Sequence, residues 1–186
     1  METTLKRRSS GFTLIEAIIT ISIASILASI AIPSFNKMIE SNRISSASNE
    51  FLSALMYTRS EATKRSISVT ICSSVNGSSC SSGLDNYAKG WIIFTDCDES
   101  QSLSIALTDC DLDGDGTNDA DLLLRVQQPV SRMKITATGT AASDTFTYRF
   151  SGRPVAPAGF TIGPDDGAAK KVINVARTGR VRMQKY

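Results

Sequence analysis

The feature that most constrains the fold of this chain is an uncharged apolar segment near the N-terminus. Residues 17–36 are twenty consecutive residues without a charge, mostly Ile, Ala, Leu and Ser. A helix of that length rises about 30 Å, which matches the hydrocarbon core of a bilayer. The segment therefore predicts one membrane-spanning helix, and the sequence contains no second segment of this kind.

The residues in front of this segment indicate how the chain is inserted. Lys6, Arg7 and Arg8 predict a cytoplasmic N-terminus, with the remainder of the chain across the membrane. A secretory signal carries a small-residue cleavage site after its apolar run, whereas here the small residue, Gly11, precedes the run. Glu16 enters the apolar helix, where an ionised carboxylate is costly. A plain signal anchor with an incidental glutamate is the alternative interpretation.

The basic leader followed by G-F-T-L-I-E resembles the type IV pilin and pseudopilin family. The resemblance implies that a prepilin peptidase cuts between Gly11 and Phe12 and methylates the new N-terminus. It also implies that Glu16 pairs with the N-terminal amine of a neighbouring subunit, which offsets the cost of desolvating the carboxylate. Pro33 stands where the family has a helix-kinking proline. The domain prediction is a leader at 1–11, a transmembrane and assembly helix at 12–36, and a globular domain at 37–186.

Beyond residue 36, apolar residues recur close to the helical period and predict an amphipathic helix that ends near residue 65. These residues are Met38, Ile44, Ala47, Phe51, Leu55 and Ala62. Short β-like runs follow, separated by turn residues. They are ISVTICS, GWIIFTD, SLSIALT, DLLLRVQQ, TFTYRFS, KVINVAR and RVRMQ. In the fifth run, alternation predicts that Phe146, Tyr148 and Phe150 share one face.

Together these patterns predict an α+β fold. A long N-terminal helix, with a membrane-spanning half and an amphipathic half, packs on an antiparallel β-sheet domain.

The four cysteines allow three pairings. The sequence favours neighbours, Cys72 with Cys80 and Cys97 with Cys110, because each pair closes a short loop rich in Ser, Gly or Asp. A compartment outside the cytoplasm favours disulfides over thiols. There is no CxxC spacing and no histidine, which disfavours zinc. The lack of histidine also removes the commonest general base and predicts a protein that is not an enzyme.

An acidic loop, DLDGDGTND, occupies residues 111–119. Positions 1, 3, 5 and 9 of a calcium-binding loop are held there by Asp111, Asp113, Asp115 and Asp119. Gly116 stands at the sixth position, but Leu122 stands where the bidentate glutamate of such a loop belongs. The sequence favours a solvated acidic turn, with weak calcium binding as the alternative. It predicts no other cofactor.

The C-terminal stretch is basic and predicts a hairpin. VINVA and RVRMQ flank a turn at Gly179, and alternation places Arg180 and Arg182 on one face, about 6.6 Å apart. That distance is close to the step between phosphates along a DNA strand, and guanidinium groups bind phosphate well. The six cations from residue 170 onward are Lys170, Lys171, Arg177, Arg180, Arg182 and Lys185. A solvated edge strand whose charges discourage aggregation is the alternative.

GWIIFTD, FSGRP (150–154) and GRVR (179–182) resemble the GspH/FimT group of minor pilins and pseudopilins. FimT-type members bind DNA through a C-terminal G-R-x-R, which is matched here by Gly179, Arg180 and Arg182. The resemblance implies a minor pilin that binds double-stranded DNA for natural transformation. The chain would span the bacterial inner membrane once, with its globular domain in the periplasm, and would then join other pilins in a fibre at the cell surface. The alternative is a minor pilin or type II secretion pseudopilin that primes or caps the fibre without binding DNA.

Overall fold

The computed structural model describes residues 11–81, 86–104, 106–112, 114–138, 144–167 and 171–185. Its first element is a helix, α1, from Leu14 to Arg65, with Pro33 inside it. By length and composition this helix is able to cross a membrane, and its most apolar window is fully exposed. The chain divides into two compact units, Met1–Ser41 and Asn42–Tyr186. The predicted helix end near residue 65 is confirmed.

The second unit contains antiparallel sheets. The strands are β1 (Val69–Ser73), β2 (Trp91–Thr95), β3 (Leu107–Cys110), β4 (Asp119–Ala120), β5 (Leu123–Gln127), β6 (Met133–Thr138), β7 (Thr145–Tyr148), β8 (Ala158–Pro164), β9 (Lys171–Val175) and β10 (Val181–Lys185). The first sheet has the order β5-β2-β1-β7, and the second has the order β10-β9-β8-β6. Strands β3 and β4 form a separate pair. The predicted α+β class is confirmed.

The central strands of the first sheet are buried on both faces, as their continuous apolar sequences require. One face contributes to the main core under the helix. On the other face, Cys72, Ile92 and Phe94 form a small cluster covered by Cys80 and Leu103. Both predicted disulfides, Cys72–Cys80 and Cys97–Cys110, are present.

The main core is organised around Phe51 of the helix. Its ring centroid lies 5.2 Å from that of Tyr87, 5.3 Å from that of Trp91 and 5.0 Å from that of Phe160. Trp91 belongs to the first sheet and Phe160 to the second. One side chain therefore joins the helix to both sheets. Met38, which the helical period assigned to the inner stripe, is about half exposed, so that part of the prediction is wrong.

Two strand predictions need correction. Strand β7 ends at Tyr148, because Tyr148 bridges to Pro154 and the chain turns over residues 149–153. Phe150 is consequently 62% exposed and does not share a buried face with Phe146. In SLSIALT, Leu107 and Thr108 belong to strand β3, whereas residues 102–104 are not in a strand and Ile105 lies outside the described residues. The sequence patterns also missed strands β6 and β8.

The second sheet buries one face and exposes the other. Ile135, Ile162 and Ile173 come from three adjacent strands of this sheet, and all three are fully buried. In β6 and β9 the residues on either side of these isoleucines are exposed or half-buried. In β8, Thr161 is half-buried, whereas Gly163 is buried. Within the described residues, strand β10 pairs only with β9 and forms an edge of the sheet. The outer face of this sheet is the platform on which the C-terminal arginines lie.

Phe51→Ala should strongly destabilise the globular unit, because it removes the ring that packs on both sheets. We expect a loss of about 3–5 kcal/mol in the free energy of unfolding, measured by urea denaturation of a fragment beginning near Lys37. Met56→Ala, on the same helix but 56% exposed, is the matched control and should change stability little. Equal losses in the two variants would contradict this account of the core.

Candidate nucleic-acid interface

The C-terminal hairpin forms as the sequence predicts. Val181 of β10 pairs with Val175 of β9, and Arg182 pairs with Asn174. Between the strands, the Gly179 amide donates to the Ala176 carbonyl at 2.8 Å, and the Ala176 amide donates to the Arg180 carbonyl at 3.0 Å. The turn therefore spans residues 176–180 and delivers Arg180 to the start of β10.

Alternation along β10 separates the apolar side chains from the cationic ones. Val181 and Met183 are half-buried and pack against the core. Arg180 and Arg182 are exposed and border one and the same groove on the outer face of the second sheet. The predicted placement of both arginines on one face is confirmed.

The groove, which we call the hairpin groove, has a volume of about 480 Å³. Its floor is a row of paired residues that crosses the whole sheet from strand to strand. In order, the row is Arg182, Asn174, Gly159 and Thr138. Among the described residues that line the groove, none is acidic. The charge of the lining is therefore set by the two arginines.

Gly159 keeps the floor of the hairpin groove open. A Cβ atom there would lie 2.6 Å from the Thr138 hydroxyl oxygen and 3.4 Å from the Asn174 side-chain oxygen. With no side chain at this position, polar atoms of two neighbouring strands are exposed beside Arg182. The floor therefore combines hydrogen-bonding groups with a guanidinium group.

Gly179 has a second role that sequence reasoning missed. Its φ of +79° suits a glycine in the turn, as predicted. In addition, a Cβ atom at this position would lie only 2.0 Å from the Gly152 carbonyl oxygen. Gly152 lies in the FSGRP loop, so the lack of a side chain at Gly179 allows the hairpin turn to pack directly on this loop. A Cβ atom at Gly152 would instead lie 3.0 Å from the Thr63 methyl carbon and 3.2 Å from the Arg59 Nε atom of the helix.

Arg59 of the helix lies under these two loops. Its guanidinium donates to the Thr178 carbonyl oxygen at 3.4 Å. Its Nε atom lies 3.0 Å from the ideal Cβ position of Gly179 and 3.2 Å from that of Gly152. The side chain thus holds the hairpin turn and the FSGRP loop to the helix. Nothing in the local sequence around residue 59 indicates this role.

The other predicted DNA-binding residues do not all reach the hairpin groove. Lys171 lies two residues before Ile173 and therefore on the core side of β9. Its ammonium group donates to the Ser45 hydroxyl at 3.3 Å. Arg177 is exposed in the turn and borders a neighbouring hollow instead. Lys185 is the last residue of β10 and pairs with Lys171, but its side chain lies outside the described part of the structure. Lys170 also lies outside the described residues.

The acidic loop folds around hydrogen bonds of its own. The Asp111 carboxylate accepts from the amides of Gly114 at 2.6 Å and Gly116 at 2.9 Å. Asp119 accepts from the Leu112 amide at 2.7 Å. Within the described residues, which exclude Asp113, no group of three or more His, Cys, Asp or Glu side chains could hold a metal ion. Calcium binding through Asp111, Asp113, Asp115 and Asp119 stays a prediction.

The motif GWIIFTD ends in a buried carboxylate that shapes the following loop. Asp96 accepts hydrogen bonds from the Thr70 hydroxyl and from the Gln101 amide, the latter at 3.1 Å. Burial raises the pKa of the Asp96 carboxyl, while these hydrogen bonds oppose the rise. The loop from Asp96 to Gln101 carries Glu99, which forms an ion pair with Arg149 at 3.3 Å.

At the N-terminus, the processing and assembly residues lie at the start of the helix. Gly11 and Phe12 precede its first residue, and Phe12 is 75% exposed. Glu16 lies in the first turn, where its amide donates to the Thr13 hydroxyl at 3.3 Å. Their predicted roles depend on a peptidase and on neighbouring subunits, so these roles stay predictions.

A long N-terminal helix that packs its second half on antiparallel sheets is the architecture of type IV pilin-like proteins. Two crystal structures of the minor pilin FimU from Pseudomonas aeruginosa share it, with TM-scores of 0.51 and 0.53 at 17% and 20% sequence identity. The matches cover 75% and 78% of this chain and 91% and 90% of FimU. The minor pseudopilin EpsH of Vibrio cholerae is also similar, with a TM-score of 0.45, 10% identity, and coverage of 77% of this chain and 97% of EpsH.

Residues 47–179 match the family model described as type II transport protein GspH, and the chain belongs to this family. Residues 6–32 match the prokaryotic N-terminal methylation motif, which includes Gly11, Phe12 and Glu16. The chain is accordingly a minor pilin or pseudopilin, a structural subunit and not an enzyme. The GspH match ends at Gly179, so Arg180 and Arg182 lie beyond it. A comparison with curated protein sequences found no match.

Gly179→Ala should lower the stability of the domain by more than the cost of placing an alanine at a positive φ. Gly116, with a φ of +86° and no atom within 4 Å of its ideal Cβ position, is the matched control. We expect Gly116→Ala to cost about 1–2 kcal/mol for the conformation alone. Gly179→Ala should cost clearly more in urea denaturation, because its methyl group meets the Gly152 carbonyl oxygen. Equal costs would show that the two loops separate easily.

Proposed function

We propose that this minor pilin binds DNA without sequence preference through the hairpin groove and that it serves DNA uptake in natural transformation. The observation that carries the proposal is the pair Arg180 and Arg182, both exposed and both bordering a groove whose described lining residues include no carboxylate. Neither guanidinium forms an ion pair with a residue in the described part of the chain. Both charges are therefore available to a polyanion.

The chemistry of such binding is electrostatic. Guanidinium groups contact phosphate oxygens, and the counterions released from DNA make the affinity fall steeply with salt. Asn174 and Thr138, in the floor of the groove, add neutral hydrogen-bonding groups for the sugar–phosphate backbone. Few contacts per subunit imply weak binding by a single copy. Several subunits in one fibre would raise the overall affinity through multivalency.

A second candidate function is that of a minor pilin or type II secretion pseudopilin that primes or caps the fibre and binds only other pilins. The family description, type II transport protein, favours it. In that function Arg180 and Arg182 would be solvated, or would contact acidic residues of a neighbouring subunit. DNA binding by the purified protein discriminates between the two candidates.

Arg180→Ala and Arg182→Ala should each weaken DNA binding. Loss of one phosphate contact should lower the affinity about tenfold at low salt and reduce the slope of log affinity against log salt by about one. The measurement is a fluorescence titration of duplex DNA with a fragment beginning near Lys37, at low and physiological salt. Arg43→Ala removes an exposed arginine that does not line the groove and is the matched control. An unchanged affinity in the two groove variants would favour the fibre-priming function.

Fibre assembly requires the processing inferred for the N-terminus. We propose that a prepilin peptidase cuts between Gly11 and Phe12 and methylates Phe12. The chain is then held in the inner membrane, with the globular unit in the periplasm, until it enters the fibre. Glu16 pairs with the N-terminal amine of an adjacent subunit, which lowers the cost of placing a carboxylate among apolar helices.

Mass spectrometry of the protein isolated from cells should find a chain that begins at N-methylated Phe12. Gly11→Leu should block cleavage, because the peptidase site requires a small residue, and residues 1–11 should then stay attached. Ser10→Ala, at the preceding position, is the control and should be processed normally. A wild-type chain that retains the first eleven residues would contradict the assignment of the leader.

A further inference from the structure

A second hollow lies beside the hairpin groove. It has a volume of about 810 Å³ and is bordered by Arg149, Arg153, Arg177, Glu99 and the exposed ring of Phe150. We call it the FSGRP hollow, because Phe150, Ser151, Arg153 and Pro154 of that motif line it. The sequence patterns missed it, because they assigned Phe150 to a buried strand face.

The FSGRP hollow and the hairpin groove are parts of one continuous surface. Pro157 lines both. The contact of Gly152 with Gly179 also brings the turn with Arg177 against the loop with Arg153. Arg177 and Arg153 therefore belong to the same surface as Arg180 and Arg182.

The hollow has an excess of positive charge. Three arginines and one glutamate border it, and three positive charges against one negative leave +2. The glutamate is already engaged, since Glu99 accepts from Arg149 at 3.3 Å and from the Ser68 hydroxyl at 3.0 Å. Arg153 and Arg177 are exposed and form no ion pair with any residue that the structure describes. These two arginines are thus free to bind phosphate.

Phe150 adds a property that the hairpin groove lacks. Its ring is 62% exposed, next to the two arginines. Exposed aromatic rings in positively charged grooves bind unpaired bases by stacking, and each stacked base contributes about 1–3 kcal/mol. Bases inside a duplex already stack on each other and cannot use the ring. A stacking ring beside phosphate-binding arginines suits a strand with unpaired bases.

From this geometry we infer that the FSGRP hollow binds a single-stranded segment of the DNA molecule whose backbone contacts Arg180 and Arg182, with a base stacked on Phe150 and phosphates at Arg153 and Arg177. This inference rests on the proposed function for its ligand class, and it adds a preference for DNA with an unpaired end. The excess of positive charge and the continuity with the hairpin groove favour nucleic acid over a protein partner.

The test uses the full-length protein in phosphatidylcholine nanodiscs, whose lipid has no net charge. Fluorescence anisotropy compares two probes, a blunt duplex and the same duplex with a single-stranded tail. The wild-type protein should bind the tailed probe at least about fivefold more tightly, which corresponds to one stacked base. Phe150→Ala should abolish this preference and leave the affinity for the blunt duplex unchanged. Val155→Ala, at another exposed apolar residue of the hollow, is the matched control and should retain the preference.

The arginines are tested in pairs. Arg153→Ala with Arg177→Ala should weaken binding of the tailed probe severalfold and make its salt dependence shallower.

If this pair and Phe150→Ala leave both affinities unchanged while Arg180→Ala with Arg182→Ala abolishes binding, the proposed function stands and this inference is wrong. If Arg153→Ala with Arg177→Ala weakens DNA binding and Arg180→Ala with Arg182→Ala does not, the hairpin groove is not the DNA site. If the wild-type protein binds neither probe, both proposals are wrong.

Discussion

The globular unit depends on one aromatic side chain, Phe51, whose ring packs against Tyr87, Trp91 and Phe160. Each sheet alone would leave an apolar face in water, and the amphipathic half of the helix would do the same. Because a single ring touches both sheets, the helix closes one core instead of two. The second sheet is thereby fixed with its outer face toward solvent. The position of Arg180 and Arg182 follows from that orientation.

A second constraint lies at the surface, where two loops meet without side chains between them. Gly152 and Gly179 allow the FSGRP loop and the hairpin turn to come into direct backbone contact, and Arg59 holds both from below. This packing explains why two glycine motifs distant in sequence belong to one functional surface. It also joins the hairpin groove to the FSGRP hollow. A side chain at Gly179 would meet the Gly152 carbonyl oxygen and push the two loops apart, whereas a side chain at Gly152 would meet Thr63 and Arg59 of the helix.

The sequence predicted the elements whose signals are local. The helix follows from its apolar period, the disulfides from short cysteine spacings, and the hairpin from alternation around Gly179. Strand β6 was missed although Met133, Ile135 and Ala137 alternate with polar residues, which is a strand pattern. In β8, Gly159 and Gly163 weaken the strand pattern. The exposure of Phe150 follows from the bridge between Tyr148 and Pro154, which are only six residues apart, and Gly152 and Pro154 were the local signal for that turn. The role of Arg59 depends instead on contacts with residues far away in the sequence, such as Thr178, which no local pattern encodes.

Among the strands that the structure describes, β10 is hydrogen-bonded on one side only, to β9. An edge strand of this kind opens at a lower free energy than the core strands beside it. The turn that precedes β10 is fixed to the domain by the contact of Gly179 with Gly152. Arg182 lies inside the strand, beyond this contact. A ligand held by Arg182 and by the FSGRP loop at once would fasten the strand to its neighbours. Binding of such a ligand would then raise the local stability of strand β10.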